Sequence, residues 1–139
     1  MNTPKFEYFD VTADIGVKVW GLNINEVFEN TAIAVTSLML DPLKIGKNIV
    51  KELIIEGNDL SSLLVNWITE LLIIRDSEGI LFSCFEVNVS DNGKSLNAKN
   101  YGDYIMGNDL EMDIKAITYS LFKLEKLDGQ YYLQFVLDI

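Results

Sequence analysis

The chain has 139 residues, 49% of them hydrophobic and only 2 of them proline, which fits one globular domain over residues 1–139 with a single packed core and excludes a disordered chain. Its 21 acidic and 11 basic side chains give a formal net charge of -10; because nucleic-acid affinity rests on lysine and arginine neutralising phosphates, direct high-affinity nucleic-acid binding is excluded. Histidine is absent, which removes Ser-His and Cys-His nucleophile pairs and mixed Cys/His zinc sites, and leaves carboxylates, lysines and main-chain groups for any chemistry.

The opening residues lack the apolar block of a secretory signal, and no apolar run reaches the ~18–20 residues of a membrane span, so a cytoplasmic protein without a membrane anchor is expected. Residues from Glu7 to Leu22 read as two short strands around a polar corner, with Val17, Val19 and Leu22 alternating against Lys18 and Trp20. Asn23 followed by Glu26 has the form of a helix N-cap with a reciprocal acidic partner, and Ile24, Val27, Phe28, Thr31, Val35, Leu38 and Met39 then recur at helical spacing. After a break at Asp41-Pro42, residues 49–56 alternate as a half-buried strand. Gly57-Asn58-Asp59 caps a second helix whose apolar stripe (Leu60, Leu63, Leu64, Trp67, Ile68, Leu71, Leu72, Ile74) is wide enough to require protein around most of it. Gly79 closes that helix.

Residues 80–90 and 95–101 flank Asn92-Gly93, and residues 114–124 and 130–139 flank Asp128-Gly129, so two hairpins follow. The lone Cys84, between aromatic neighbours Phe82 and Phe85, reads as a small core residue. The polar stretch 102–113 reads as an exposed loop. This element order favours an α+β fold, a mostly antiparallel curved sheet with two helices packed on it.

Candidate chemistry gathers at the chain's two ends. Asp14 lies in the corner FDVTADIG, where short polar residues also serve simply to satisfy turn amides. The last strand runs to Asp138-Ile139, which sets the Asp138 side chain beside the terminal carboxylate. Counting outward from a two-residue Asp128-Gly129 turn sets Ile139 opposite Thr118 and Lys115 three positions past the end, on a face shared with Ile117, Tyr119 and Leu121. Lys115 is either drawn to these carboxylates or snorkels at the sheet edge. Asp14, Asp138, the Ile139 carboxylate and Lys115 are thus candidates for an oxygen-rich site suited to hard cations, Ca2+ or Mg2+.

FDVTADIG, the run from Phe28 to Ala34, LLVNWITELL, IKAITY and the final Asp-Ile together resemble the archease family from about Tyr8 to Ile139. The resemblance implies a metal-binding accessory protein for the GTP-dependent tRNA-splicing RNA ligase, promoting guanylylation of the ligase and its multiple turnover. It assigns the metal, Ca2+ first with Mg2+ or Mn2+ as alternatives, to Asp14, Asp138 and the terminal carboxylate of Ile139, and partner activation to Lys115 with Asp14 and Asp138. No catalytic residue of its own is implied. The family pattern commonly has histidine where Val11 and Ser120 stand here. Two other readings remain open: a general chaperone or modulator of RNA-modifying enzymes, and a metal-dependent phosphoester hydrolase with Lys115 as electrophilic helper.

Overall fold

The computed structural model describes residues 5–139. Seven strands and two α-helices follow one another as β1 (Phe6–Val11), β2 (Asp14–Gly21), α1 (Ile24–Met39), β3 (Ile49–Glu56), α2 (Leu60–Glu78), β4 (Ile80–Val89), β5 (Ser95–Tyr104), β6 (Ala116–Leu127) and β7 (Gln130–Asp138), with short 3-10 turns at Pro42–Lys44 and Gly107–Asp109. Every strand pairing is antiparallel. The α+β expectation holds, with the strands divided between a four-stranded sheet ordered β1-β2-β7-β6 and a three-stranded sheet ordered β3-β5-β4.

Local chemistry explains the helix boundaries. The Asn23 side chain accepts a hydrogen bond from the Glu26 amide at 2.9 Å and so satisfies one of the orphan donors of α1. In α2 the cap is reciprocal: Asp59 accepts from the Ser62 amide, and the Ser62 hydroxyl receives the Asp59 amide. The hydrogen bonds from Ser62 hold the Asp59 carboxyl below its usual range. Gly79 ends α2 with φ 70°, a left-handed conformation that glycine adopts without a Cβ penalty.

The helices join the two sheets. Helix α1 packs on β2 and on β4, and α2 on β6, β3 and β4. The outer edge of β4 would present unpaired amides, a liability for any exposed strand. Helix α1 covers it through side chains: Asn25 accepts from the Val89 amide at 2.8 Å and Glu29 from the Val87 amide at 2.9 Å. One apolar core therefore draws from both sheets and both helices, with Val17, Phe28, Trp67, Leu96 and Phe135 fully buried.

Tyr8 tethers the first strand to α1. Although 39% of its surface stays exposed, its hydroxyl turns inward and donates to the Ala34 carbonyl at 2.7 Å. Burial pushes this phenol from 10.0 up to about 12, against a smaller opposing influence of the Ser37 hydroxyl. An unfolded tyrosine ionises first, so the contribution is whole below pH 10.0 and is lost as pH climbs toward about 12. Chemical denaturation across that window should show stability falling more steeply for the natural chain than for Tyr8→Phe; equal slopes would assign the alkaline loss to other groups.

Four local expectations need correction. Leu22 lies just past the strand rather than joining the core and is 68% exposed, because Gly21 takes the last inward position and the chain turns into α1. Cys84 is half-buried, since the β4–β5 register shifts between Phe82 and Cys84 and breaks the inward alternation there. The strand expected over 114–124 runs instead from Ala116 to Leu127, right up to its turn.

The fourth concerns 102–113. Strand β5 continues through Gly102 to Tyr104, so the loop, mostly exposed, is confined to residues 105–113, before the wholly buried Ile114. Gly102 is required by closeness of approach: a Cβ there would fall on the Leu81 carbonyl oxygen and lie 2.8 Å from the Phe82 Cα. Backbone cannot yield as a side-chain tip does, so Gly102→Ala should cost roughly 1–3 kcal/mol or more in urea denaturation. A wild-type midpoint would contradict this close packing.

Candidate functional site

The pairing of β2 with β7 determines where the candidate residues meet. Strands β1 and β2 are joined by Thr12-Ala13, and Val11 pairs with Asp14 across the turn. Ala13 has φ 63°, a left-handed conformation costing an L-residue roughly 1–2 kcal/mol, and such strain gathers at functional sites. Next along β2, Ile15 pairs with Leu137 and Gly16 with Val136. One further step of that register sets Asp14 directly opposite Asp138, where Cα atoms in an antiparallel ladder are about 4.5–5.5 Å apart. The inward alternation of Val17, Phe135 and Leu137 leaves Asp14 and Asp138 together on the outer face, Asp14 half-buried and Asp138 exposed.

Lys115 arrives by a route the register count missed. Asp128 (φ 50°) and Gly129 (φ 78°) form the expected two-residue turn, and Leu127 faces Gln130. The register then shifts: Lys123 pairs with Gln134, but Thr118 already pairs with Val136, so residues 119–122 stand against Phe135 alone. This bulge carries Leu121 at φ 54°, held by a hydrogen bond from Gln134 Nε2 to the Leu121 carbonyl at 2.9 Å. The Thr118 hydroxyl donates to the Val136 carbonyl at 2.9 Å. The ladder consequently pairs Ala116 with Asp138, and the Lys115 amide donates to the Asp138 carbonyl at 2.8 Å. Lys115 is therefore beside the end of β7 rather than three residues past it.

The face predicted for Lys115 also differs. Ile117 is buried, while Tyr119 and Leu121 are 57% and 56% exposed because they lie in the bulge. Lys115 itself is exposed, and the Ile139 side chain packs against the core. Of the two family histidine positions, Val11 lies opposite Asp14 and Ser120 lies in the bulge, its amide 3.3 Å from the Thr118 hydroxyl.

Two like charges directly opposite one another destabilise a sheet unless compensated. Among the described residues, neither Asp14 nor Asp138 takes part in an ion pair or accepts a side-chain hydrogen bond, and no three His, Cys, Asp or Glu side chains converge as a metal cage. Completing a three-ligand set at this tip would require the main-chain carboxylate of Ile139. Such an all-oxygen donor set fits a hard divalent cation and no soft one.

Sequence reasoning passed over one buried charge near this tip. Arg75 is 8% exposed and continues the stripe of α2 at the helical step after Ile68, Leu71 and Leu72. A charged residue at that spacing was the available signal.

Residues 6–139, which take in every strand and helix from β1 to β7, match the model of the Archease protein family. The chain belongs to the archease family. The archease of Sulfurisphaera tokodaii is 43% identical over 137 residues, covering 97% of this chain and 99% of the relative. The archease of Pyrococcus abyssi is 41% identical over 140 residues, with the same coverage of 97% and 99%. Among solved structures, the solution structure of Methanobacterium thermoautotrophicum protein 1598 superimposes with a TM-score of 0.85 at 36% identity, covering 97% of this chain and 99% of that one. The crystal structure of a Thermotoga maritima archease, described as a possible chaperone, gives a TM-score of 0.65 at 19% identity over 100% and 98% of the two chains, and supports the archease fold alone. Among the described residues of this archease-family chain, no helix is long and apolar enough to cross a membrane.

Proposed function

We propose that this archease-family chain is a protein cofactor of the GTP-dependent tRNA-splicing RNA ligase, promoting guanylylation of the ligase and allowing it to turn over repeatedly. The observation that carries the reading is the pairing of β7 with β2 on one side and β6 on the other, whose registers bring Asp14, Asp138 and Lys115 to one end of the four-stranded sheet. Asp14, Asp138 and the terminal carboxylate of Ile139 would hold a divalent ion, with Ca2+ first and Mg2+ or Mn2+ as alternatives. When bound, that ion supplies Lewis-acid stabilisation for attack on a triphosphate. Lys115 provides a positive charge at the same tip for partner activation. The net charge of -10 steers the protein toward a basic, RNA-binding enzyme rather than toward RNA itself.

The test combines the purified protein with the cognate ligase, GTP and divalent metal, and measures guanylylated ligase and ligations per enzyme. Stimulation of both is expected. Turnover without improvement would sink this reading in favour of a general chaperone or a modulator of RNA-modifying enzymes; phosphoester hydrolysis by the isolated protein would favour an enzyme.

A further inference from the structure

We propose that Arg75 is a positioning residue for Lys115, an inference that rests on the reading of Lys115 as the group presented to the partner. Only 6% of the Arg75 side chain is exposed. Its Nη1 donates to the Ile114 carbonyl at 2.8 Å and approaches Met39 Sδ at 3.2 Å. Its Nε donates to Asp76 Oδ1 at 2.9 Å, and Nη2 lies 3.5 Å from Asp113 Oδ1. Asp76 is the neighbouring residue on the same helix, whereas Asp113 and Ile114 are the two residues immediately before Lys115.

The Lys115 main chain is thus gripped from two sides. On one, α2 holds the Ile114 carbonyl through the guanidinium, and the wholly buried Ile114 side chain plugs the core. On the other, the Lys115 amide bonds to the Asp138 carbonyl of β7. A third tie, from the Glu111 amide to the Met39 carbonyl at 2.8 Å, fixes the incoming connection to the end of α1, where Arg75 also touches Met39.

Burying a guanidinium is a poor way to gain stability, since apolar side chains of similar volume often serve as well or better. What a guanidinium adds is direction: a rigid fork that selects one carbonyl and one carboxylate. Two of its targets here, the Ile114 carbonyl and the Asp113 carboxylate, belong to the residues that set where Lys115 leaves the core. The exposed side chains of Asp76 and Asp113 keep the charge compensated at the mouth of the site.

The test compares natural protein with Arg75→Met by amide hydrogen exchange and by ligase stimulation. In the variant the Lys115 amide should exchange about tenfold faster while amides from Leu64 to Ile68 stay within roughly twofold, the pattern of a local opening. Maximal ligase stimulation at saturating protein should fall about tenfold, as expected when a group is misplaced rather than removed. Should Arg75→Met not fold, Arg75→Lys, which keeps the charge and loses the fork, gives the same comparison. Unchanged exchange at Lys115, or a rise shared equally by α2, would overturn the proposal, as would full stimulation despite a loosened Lys115. If the natural protein fails to stimulate the ligase, the cofactor reading falls, and the exchange data alone decide whether Arg75 holds Lys115.

Discussion

Replacing Asp138 with alanine is expected to reduce ligase stimulation to the level of the ligase alone while leaving the fold intact. Asp138 is exposed, and in the ladder its main chain is held through the Ala116 pairing and the Lys115 amide, which a change of side chain does not touch. Removing it also relieves the opposition of two carboxylates, so the metal-free variant should be equal to the natural protein in stability or better by about 0.2–1 kcal/mol. Added divalent metal should raise the melting temperature of the natural protein and leave that of Asp138→Ala unmoved, because only a ligand bound to the folded state stabilises it. The two readouts separate the causes. Full stimulation by the variant defeats the metal-and-tip proposal, and a lower metal-free melting temperature defeats the idea that the two aspartates repel.

Trp67→Ala should cost about 3–5 kcal/mol, a large part of the 5–15 kcal/mol typical of a whole domain. Trp67 is fully buried, its ring meets Phe85 edge-on at 6.0 Å, and its Nε1 donates to the Phe28 carbonyl at 3.1 Å. That hydrogen bond links the two helices, since Phe28 belongs to α1 and Trp67 to α2. The truncation opens a cavity where α2 meets α1 and β4 and deprives a buried carbonyl of its partner, two separate penalties. Trp67→Phe keeps most of the apolar volume and loses the donor, so it should fall between the natural protein and Trp67→Ala. Guanidinium denaturation checks the order; a Trp67→Phe midpoint equal to that of the natural protein would show that the hydrogen bond contributes nothing, and equal midpoints for the two variants would show the same of the ring's apolar volume.

What was legible in the sequence was what short-range chemistry determines. Asn23, Asp59 and Gly79 mark helix ends because capping involves residues only a few positions apart. Asp128-Gly129 marks its turn because both residues tolerate positive φ. The bulge at residues 119–122 carries no such mark: Thr118, Tyr119, Leu121 and Phe122 are all good strand residues, and leucine at 121 gives no sign of a left-handed backbone. Missing it displaced Lys115 by three positions in the count, although its residence near the end of β7 was anticipated. Gly102 and Asp103 read as loop because their composition is that of a loop, while the reason for glycine at 102 lies across the sheet in the backbone of β4. The division into two sheets was likewise hidden, since the edge of β4 is covered by side chains of α1 rather than by another strand. The approach of Asp14 to Asp138 follows from the long-range pairing of Ile15 with Leu137, which no local pattern encodes.

Because β2 and β7 are neighbours in space and lie near opposite ends of the sequence, synthesis on the ribosome imposes an order of events. The first hairpin emerges early with one rim bare, and it stays so until nearly all the rest of the domain has been translated. Closing so distant a pair is intrinsically slow, and an unmatched rim is an invitation to wrong partners in the meantime. Nascent chains halted before Gln130 should therefore be unable to assemble the acidic tip, which is among the last features of the molecule to come into being.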